Sequence, residues 1–128
     1  MEIIKNKPKN FAVLSGDDAT TLPIIAAGGD GVISVVSNEV PKMFSDMVRF
    51  ALAGDMKKAQ ELHYKLFDLM RINFIESNPI PVKAALGLMG LLDPVYRLPM
   101  CPPSPASLTK IEKALESVGL SGRVRVAS

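Results

Sequence analysis

The chain has 128 residues, with 15 lysines and arginines against 13 aspartates and glutamates, for a formal net charge of +2. This length is enough for one domain with a buried core. The charge is too balanced to indicate binding to nucleic acid or to an anionic membrane. A single cysteine and a single histidine exclude an internal disulfide and a Cys/His zinc site within one chain, so we expect neither a metal nor a cofactor.

The first ten residues indicate the end of a short helix at Ile3 and Ile4, followed by a loop that begins before Pro8. A basic cluster follows, formed by Lys5, Lys7 and Lys9. No aromatic residues alternate with these lysines to stack bases, so we expect them to be solvated. The N-terminus has no apolar signal core, and no window approaches the roughly 18 apolar residues of a membrane span. We therefore expect a cytoplasmic protein that does not contact membranes.

Two apolar runs, FAVLS at residues 11–15 and GVISVV at residues 31–36, do not alternate with polar residues. This pattern is typical of strands that are covered on both faces in a parallel sheet. Between the runs, an acidic start at Asp18 and a stop at Gly28 or Gly29 predict a short helix. The order strand, helix, strand predicts an α/β fold with a right-handed crossover.

Helical patterns dominate the rest of the chain. Asn38 is predicted to cap a helix that continues to Gly54, and Asp55 to cap a long helix after it. One apolar stripe runs along this long helix, formed by Ala59, Leu62, Leu66 and Met70.

The sequence NPIPVK at residues 78–83 breaks the helical pattern, and a short helix ending at Gly90 is predicted to follow. A proline-rich connector then leads to a last helix at residues 107–118, with a capping box from Thr109 to Glu112. We therefore expect strand–helix units at 1–54, a helical region at 55–120 and a flexible tail at 121–128.

Functional groups in parallel α/β folds gather at the carboxyl ends of strands, where this chain has Gly16, Asp17 and Asp18. Gly16 permits either a close backbone approach to a ligand or a positive φ, and Asp18 can cap the following helix. A capped turn without a ligand is one interpretation, and an acid/base pair of the two aspartates is a weaker one. We interpret His63 as a partly buried structural histidine and Cys101 as an inert thiol.

Four strings in this order, LSGDDA, GGDGVISVVSN, NPIPVKAAL and RLPMCPPS, resemble the C-terminal part of the dihydrodipicolinate synthase family. These enzymes are pyruvate-dependent Schiff-base lyases related to N-acetylneuraminate lyase, and the match runs from about Ile3 to Leu120. The resemblance implies a partial (β/α)8 barrel (TIM barrel), of which this chain has the last two strand–helix units, followed by a C-terminal helical region. A complete barrel takes about 250 residues, so we expect the other strands to lie outside this chain.

The resemblance implies a chemistry of lysine biosynthesis, in which pyruvate condenses with aspartate semialdehyde through a lysine imine. The family's imine lysine, its YN-V/I/L-P tyrosine and its GTT threonine pair have no counterpart here, so no catalytic residue is carried over. Two residues carry over for substrate binding: Gly16 matches the glycine of the family's SGDD turn, which lines the pocket, and Ile33 matches the family isoleucine whose backbone contacts pyruvate. Asp17 and Asp18 match as turn and cap residues.

The leading hypothesis is thus the C-terminal portion of such a lyase, inactive by itself because its nucleophile lies elsewhere. A non-catalytic assembly module is the second, and a fragment of a sibling aldolase that uses another aldehyde is the third. Two strands leave open sheet edges, and 48% of the residues are hydrophobic. We therefore expect a homo-oligomer or pairing with a missing N-terminal half.

Overall fold

The computed structural model describes residues 1–120, and the predicted tail at 121–128 lies outside the described residues. Two strands form a parallel pair, β1 (Leu14–Ser15) and β2 (Gly31–Val32). The helices are α1 (Glu2–Asn6), α2 (Thr21–Ala26), α3 (Pro41–Leu52), α4 (Met56–Ile72), α5 (Ile80–Leu88) and α6 (Pro105–Ser117). No helix in this part of the chain is long and apolar enough to cross a membrane.

The strands confirm the predicted parallel arrangement but are shorter than the apolar runs at 11–15 and 31–36. Leu14 pairs with Gly31, and Ser15 pairs with Val32. After β2 the chain turns into a 3-10 helix at Val36–Asn38 instead of continuing the ladder. An apolar run reveals which residues avoid water, but it does not reveal where the backbone changes direction.

An ion pair between Lys7 and Asp30 ties the N-terminal segment to the start of β2. The Asp30 carboxylate also accepts a hydrogen bond from the amide of Val13 at 2.7 Å. The hydrogen bond from Lys7, then that from Val13, lowers the pKa of Asp30 below its usual value of 3.8. The prediction that these lysines are solvated is therefore wrong for Lys7, which is partly buried in this ion pair, while Lys5 and Lys9 are exposed.

The described chain divides into two compact units, residues 1–67 and the residues from Asp68 onward. In the first unit, α2 packs on both strands and on α3. The buried cluster at this junction consists of Leu22, Ile25, Ala51 and Ala59. Phe44 and Met47, which precede Ala51 on α3 at helical spacing, are also buried. One face of the short sheet thus has its own hydrophobic core within the first unit.

The caps of α3 and α4 differ in how far the sequence predicted them. The prediction of Asn38 as the cap of α3 is wrong, because α3 begins at Pro41. The side-chain Nδ2 of Asn38 instead donates to the carbonyl of Val35 at 2.8 Å. Proline suits the first helical position because it has no N–H to leave unpaired there. The prediction of Asp55 as the cap of α4 is confirmed, since its Oδ1 accepts from the Lys58 amide at 3.3 Å.

In the second unit, α5 and α6 pack against each other. The α6 helix begins at Pro105, and the side chain of Ser104 caps it by accepting from the Ser107 amide at 3.2 Å. The predicted capping box from Thr109 to Glu112 is therefore wrong. Thr109 lies inside the helix, where its hydroxyl donates to the Pro105 carbonyl at 3.1 Å.

His63 is a buried residue of α4, with 7% of its surface exposed. Its ring lies 5.2 Å from that of Tyr64 in an edge-on arrangement and 5.5 Å from that of Phe67. Its Nδ1 is buried without a hydrogen-bond partner among the described residues. Burial lowers the pKa of His63 below its ordinary value of 6.5, because the charged imidazolium is poorly solvated there.

This lowered pKa predicts a stability loss in mild acid. The unfolded chain takes up the His63 proton at a higher pH than the folded chain, so the free energy of unfolding should fall as the pH drops below about 6.5 and be level above it. The substitution His63→Leu should remove this component. Urea denaturation followed by circular dichroism between about pH 5 and pH 7.5 measures it in both proteins, above the range in which carboxylates titrate. Parallel pH profiles for the two proteins would contradict the prediction.

Candidate functional site

Gly16 and Ile33 are the first residues after β1 and β2, and they lie at the same edge of the parallel pair. The register that pairs Ser15 with Val32 makes them neighbours across this edge. The Ile33 amide donates to the Ser15 carbonyl at 2.9 Å, which continues the ladder by one bond. The structure thus brings the two predicted substrate-binding residues together at the carboxyl edge, where parallel α/β folds place their sites.

The loop after β1 is closed by a network of short hydrogen bonds. The buried Ser15 hydroxyl donates to the Asp17 carbonyl at 2.6 Å, and the Thr21 hydroxyl donates to the same oxygen at 2.9 Å. The Asp17 carboxylate accepts from the Thr20 amide at 2.9 Å. Sequence reasoning placed Ser15 at the end of the strand without a role and missed Thr20 and Thr21. Serine and threonine that flank an aspartate in a turn favour such side chain to backbone bonds.

Gly16 has an ordinary backbone conformation, since it is not among the glycines with positive φ. A β-carbon built on it would meet no atom within 4 Å. The structure therefore excludes the positive φ that the sequence left open. The open space beside the backbone leaves room for a ligand to approach.

Asp18 does not cap the helix that follows it, contrary to the sequence prediction. The cap position of α2 is Thr20, which makes no capping bond through its side chain. The carboxylate of Asp18 instead accepts from the amides of Val35 and Val36, at 3.1 Å and 2.8 Å. It therefore caps the 3-10 helix after β2.

The two adjacent aspartates bind different parts of the backbone. Asp17 binds the Thr20 amide within its own turn, whereas Asp18 reaches the segment after β2. Each carboxylate already has a backbone donor on one oxygen. This arrangement favours the turn and cap interpretation over an acid/base pair, because general acid/base work requires both groups to face one reactant.

Apolar side chains are exposed around the edge of the strands. Ile33 is 70% exposed, Phe11 56% and Leu14 46%. Side chains of this size usually need a cover when they lie close together on a surface. Within residues 1–120, no three histidine, cysteine, aspartate or glutamate side chains are grouped as a metal site would require. Cys101 belongs to the second unit and is a free, exposed thiol.

The carboxyl edge of a parallel strand pair is a common place for enzyme sites, and comparison with known proteins shows which protein family this chain belongs to. A model of the dihydrodipicolinate synthetase family matches residues 1–118. The chain belongs to this family. It is 55% identical over 119 residues to 4-hydroxy-tetrahydrodipicolinate synthase of Maridesulfovibrio salexigens. The aligned region covers 93% of this chain and 41% of that protein.

Solved structures show the same similarity. Dihydrodipicolinate synthase from Aquifex aeolicus superposes with a TM-score of 0.90 at 44% identity, over 93% of this chain and 41% of that one. A chloride-inhibited dihydrodipicolinate synthase from Acinetobacter baumannii, complexed with pyruvate, gives 0.83 at 43% identity, over 86% of this chain and 38% of that one. The chain thus spans about two-fifths of the length of the relatives that it matches.

The open, unstrained position of Gly16 predicts that alanine is tolerated there. Gly16→Ala should leave the free energy of unfolding unchanged or raise it by about 0.4–1 kcal/mol, because alanine restricts the unfolded chain. The matched control is Gly54→Ala, also in open space but at φ +81°. Gly54→Ala should cost about 1–2 kcal/mol because a side chain is strained in the left-handed region. Urea denaturation measures both, and an equal loss in the two variants would contradict the assignment.

Proposed function

We propose that this chain is the C-terminal portion of a pyruvate-dependent lyase of the 4-hydroxy-tetrahydrodipicolinate synthase type. In this proposal β1 and β2 are the last two strands of a (β/α)8 barrel, and the helices from α4 onward form the C-terminal helical region. Gly16 and Ile33 form one wall of the site that binds pyruvate. The observation that carries the proposal is their adjacency at the carboxyl edge of a parallel pair.

The backbone at this wall limits how a keto acid can be held. The Ile33 amide is already bonded to the Ser15 carbonyl, so the backbone group that Ile33 offers to a ligand is its own carbonyl oxygen. This oxygen can accept from the N–H of a protonated imine but not from the oxygens of pyruvate. Gly16 adds a wall without a side chain, beside which there is open space. The pyruvate in the Acinetobacter baumannii relative, which is 43% identical, supports a keto acid as the ligand.

The imine-forming amine comes, in this proposal, from a part of the barrel outside this chain. Residues 10–41, which contain both strands and the loops after them, include no lysine. A nucleophilic lysine needs a lowered pKa in a desolvated pocket. The pKa of Lys58 is instead raised, first by its hydrogen bond to Asp55 and then by the charge of that carboxylate. Lys83 donates to the Val95 carbonyl and lies 5.3 Å from the centre of the Tyr96 ring.

A second candidate is a non-catalytic assembly module, which the exposed apolar side chains around the strand edge favour. Phe11, Leu14 and Ile33 are 56%, 46% and 70% exposed. The remaining six strands of a barrel would cover them, and so would a second copy of the chain. If the barrel strands cover these side chains, the protein is a lyase with pyruvate and aspartate semialdehyde as substrates. If a second copy covers them, the protein is an oligomer without catalytic activity.

Borohydride trapping tests the lyase proposal. A reduced imine adds pyruvate permanently to a lysine, and mass spectrometry detects the adduct. The 128-residue chain alone should form none. A chimera should form the adduct and condense pyruvate with aspartate semialdehyde, if this chain replaces the matched portion of the Maridesulfovibrio salexigens synthase. The parent synthase is the positive control.

The outcomes separate the candidates. An adduct on the chain alone would overturn the requirement for an external lysine. A folded chimera that traps no pyruvate would overturn the lyase proposal and leave the assembly module. A chimera that traps pyruvate but condenses it only with a different aldehyde would indicate a sibling aldolase.

A further inference from the structure

We propose that Asp18 is a positioning residue of the keto-acid site, which holds the segment after β2 so that Ile33 stays beside Gly16. The inference rests on the proposed function, because a position at this edge matters for chemistry only where the two loops form a pocket wall. Asp18 acts through the backbone that it binds and is not a catalytic residue.

The carboxylate of Asp18 holds the chain just beyond Ile33. Its Oδ2 accepts from the Val35 amide at 3.1 Å and from the Val36 amide at 2.8 Å. On the other side, the Ile33 amide is held by the Ser15 carbonyl at 2.9 Å. The peptide groups from Ile33 to Val35 are therefore fixed at both ends, by the last residue of β1 and by Asp18 in the loop that follows it.

The burial of this contact makes it selective for a carboxylate. Asp18 is 1% exposed and Val36 is fully buried. Buried amides that lose their acceptor have no water to replace it, so the segment would have to move to find one. The negative charge also faces the first amides of the 3-10 helix, where a charged acceptor binds more strongly than a neutral one. The second oxygen, Oδ1, is buried without a partner among the described residues.

Sequence separation distinguishes Asp18 from the ordinary caps of this chain. Asp17 and Asp55 each bind an amide three residues further along, so each stabilises only its own turn. Asp18 binds amides that lie 17 and 18 residues away. Its contact therefore sets the relation between two loops, which a local cap does not do.

Kinetics of the chimera test the inference. Asp18→Asn keeps the shape and one acceptor oxygen but loses the charge, and Asp55→Asn makes the same change at a local cap. For Asp18→Asn we expect the KM for pyruvate to rise about tenfold, since charge-assisted hydrogen bonds are about twice as strong as neutral ones. The kcat, divided by the fraction of chimera that borohydride traps with pyruvate, should stay within about twofold of that of the parent chimera. For Asp55→Asn, both constants should match those of the parent chimera.

Hydrogen exchange in the 128-residue chain supplies an independent reading. The Val35 and Val36 amides should exchange faster in Asp18→Asn than in the unaltered chain, and at the same rate in Asp55→Asn. If Asp18→Asn does not fold, Asp18→Glu takes its place, because it keeps the carboxylate but moves it by one methylene group from the two amides.

Each outcome decides the inference. A raised KM for pyruvate with faster exchange at the two amides supports it. An active parent chimera whose Asp18 variant keeps its KM for pyruvate within about twofold overturns the inference alone. The same KM change in Asp55→Asn also overturns it, because the effect would then be general destabilisation. A folded parent chimera without activity overturns the proposed function, and the inference with it.

Discussion

The parallel pairing of β1 with β2 is the constraint on which the candidate site depends. Only two residue pairs form the ladder, so its register is easy to lose unless other contacts hold it. A slip by one residue would turn every side chain to the opposite face and move Ile33 away from Gly16. Asp30 holds the start of the pair through Val13, and Asp18 holds its end through Val36. These contacts from side chain to backbone do for a short ladder what further pairs do for a long one.

Within its own unit, the short ladder is covered on one face only. The α2 helix packs on both strands and buries Leu22 and Ile25 behind them. Ile33, at the carboxyl edge, and Leu14, at the start of β1, are both exposed, although parallel strands are normally buried on both faces. In the proposed lyase, this edge supplies one wall of the site, because residues 1–120 contain only the two strands of this pair. The proposal therefore needs the other strands of a barrel to enclose a ligand.

The sequence predicted this fold well where one physical signal dominated. The apolar stripe of α4, with Ala59 and Leu66 fully buried, follows directly from helical spacing. Strand ends were harder to predict, because Val35 and Val36 continue the apolar run but lie outside the ladder, and Val36 begins a 3-10 helix. What turns them is a carboxylate 17 and 18 residues earlier, which periodicity does not reveal. The prediction of Asn38 as a cap was wrong for a related reason, because α3 begins at Pro41.

The family resemblance identified Gly16 and Ile33 as candidate substrate-binding residues. The different contacts of the two aspartates became visible only in the structure. Adjacent carboxylates look equivalent in a sequence, yet their surroundings differ in burial. Asp18 is 1% exposed and binds a distant segment, whereas Asp17 is only partly buried and closes its own turn. A buried carboxylate without a donor on one oxygen costs free energy unless its other contacts compensate. The two amides that Asp18 accepts supply that compensation, so stability at this position and the geometry of the wall depend on the same contact.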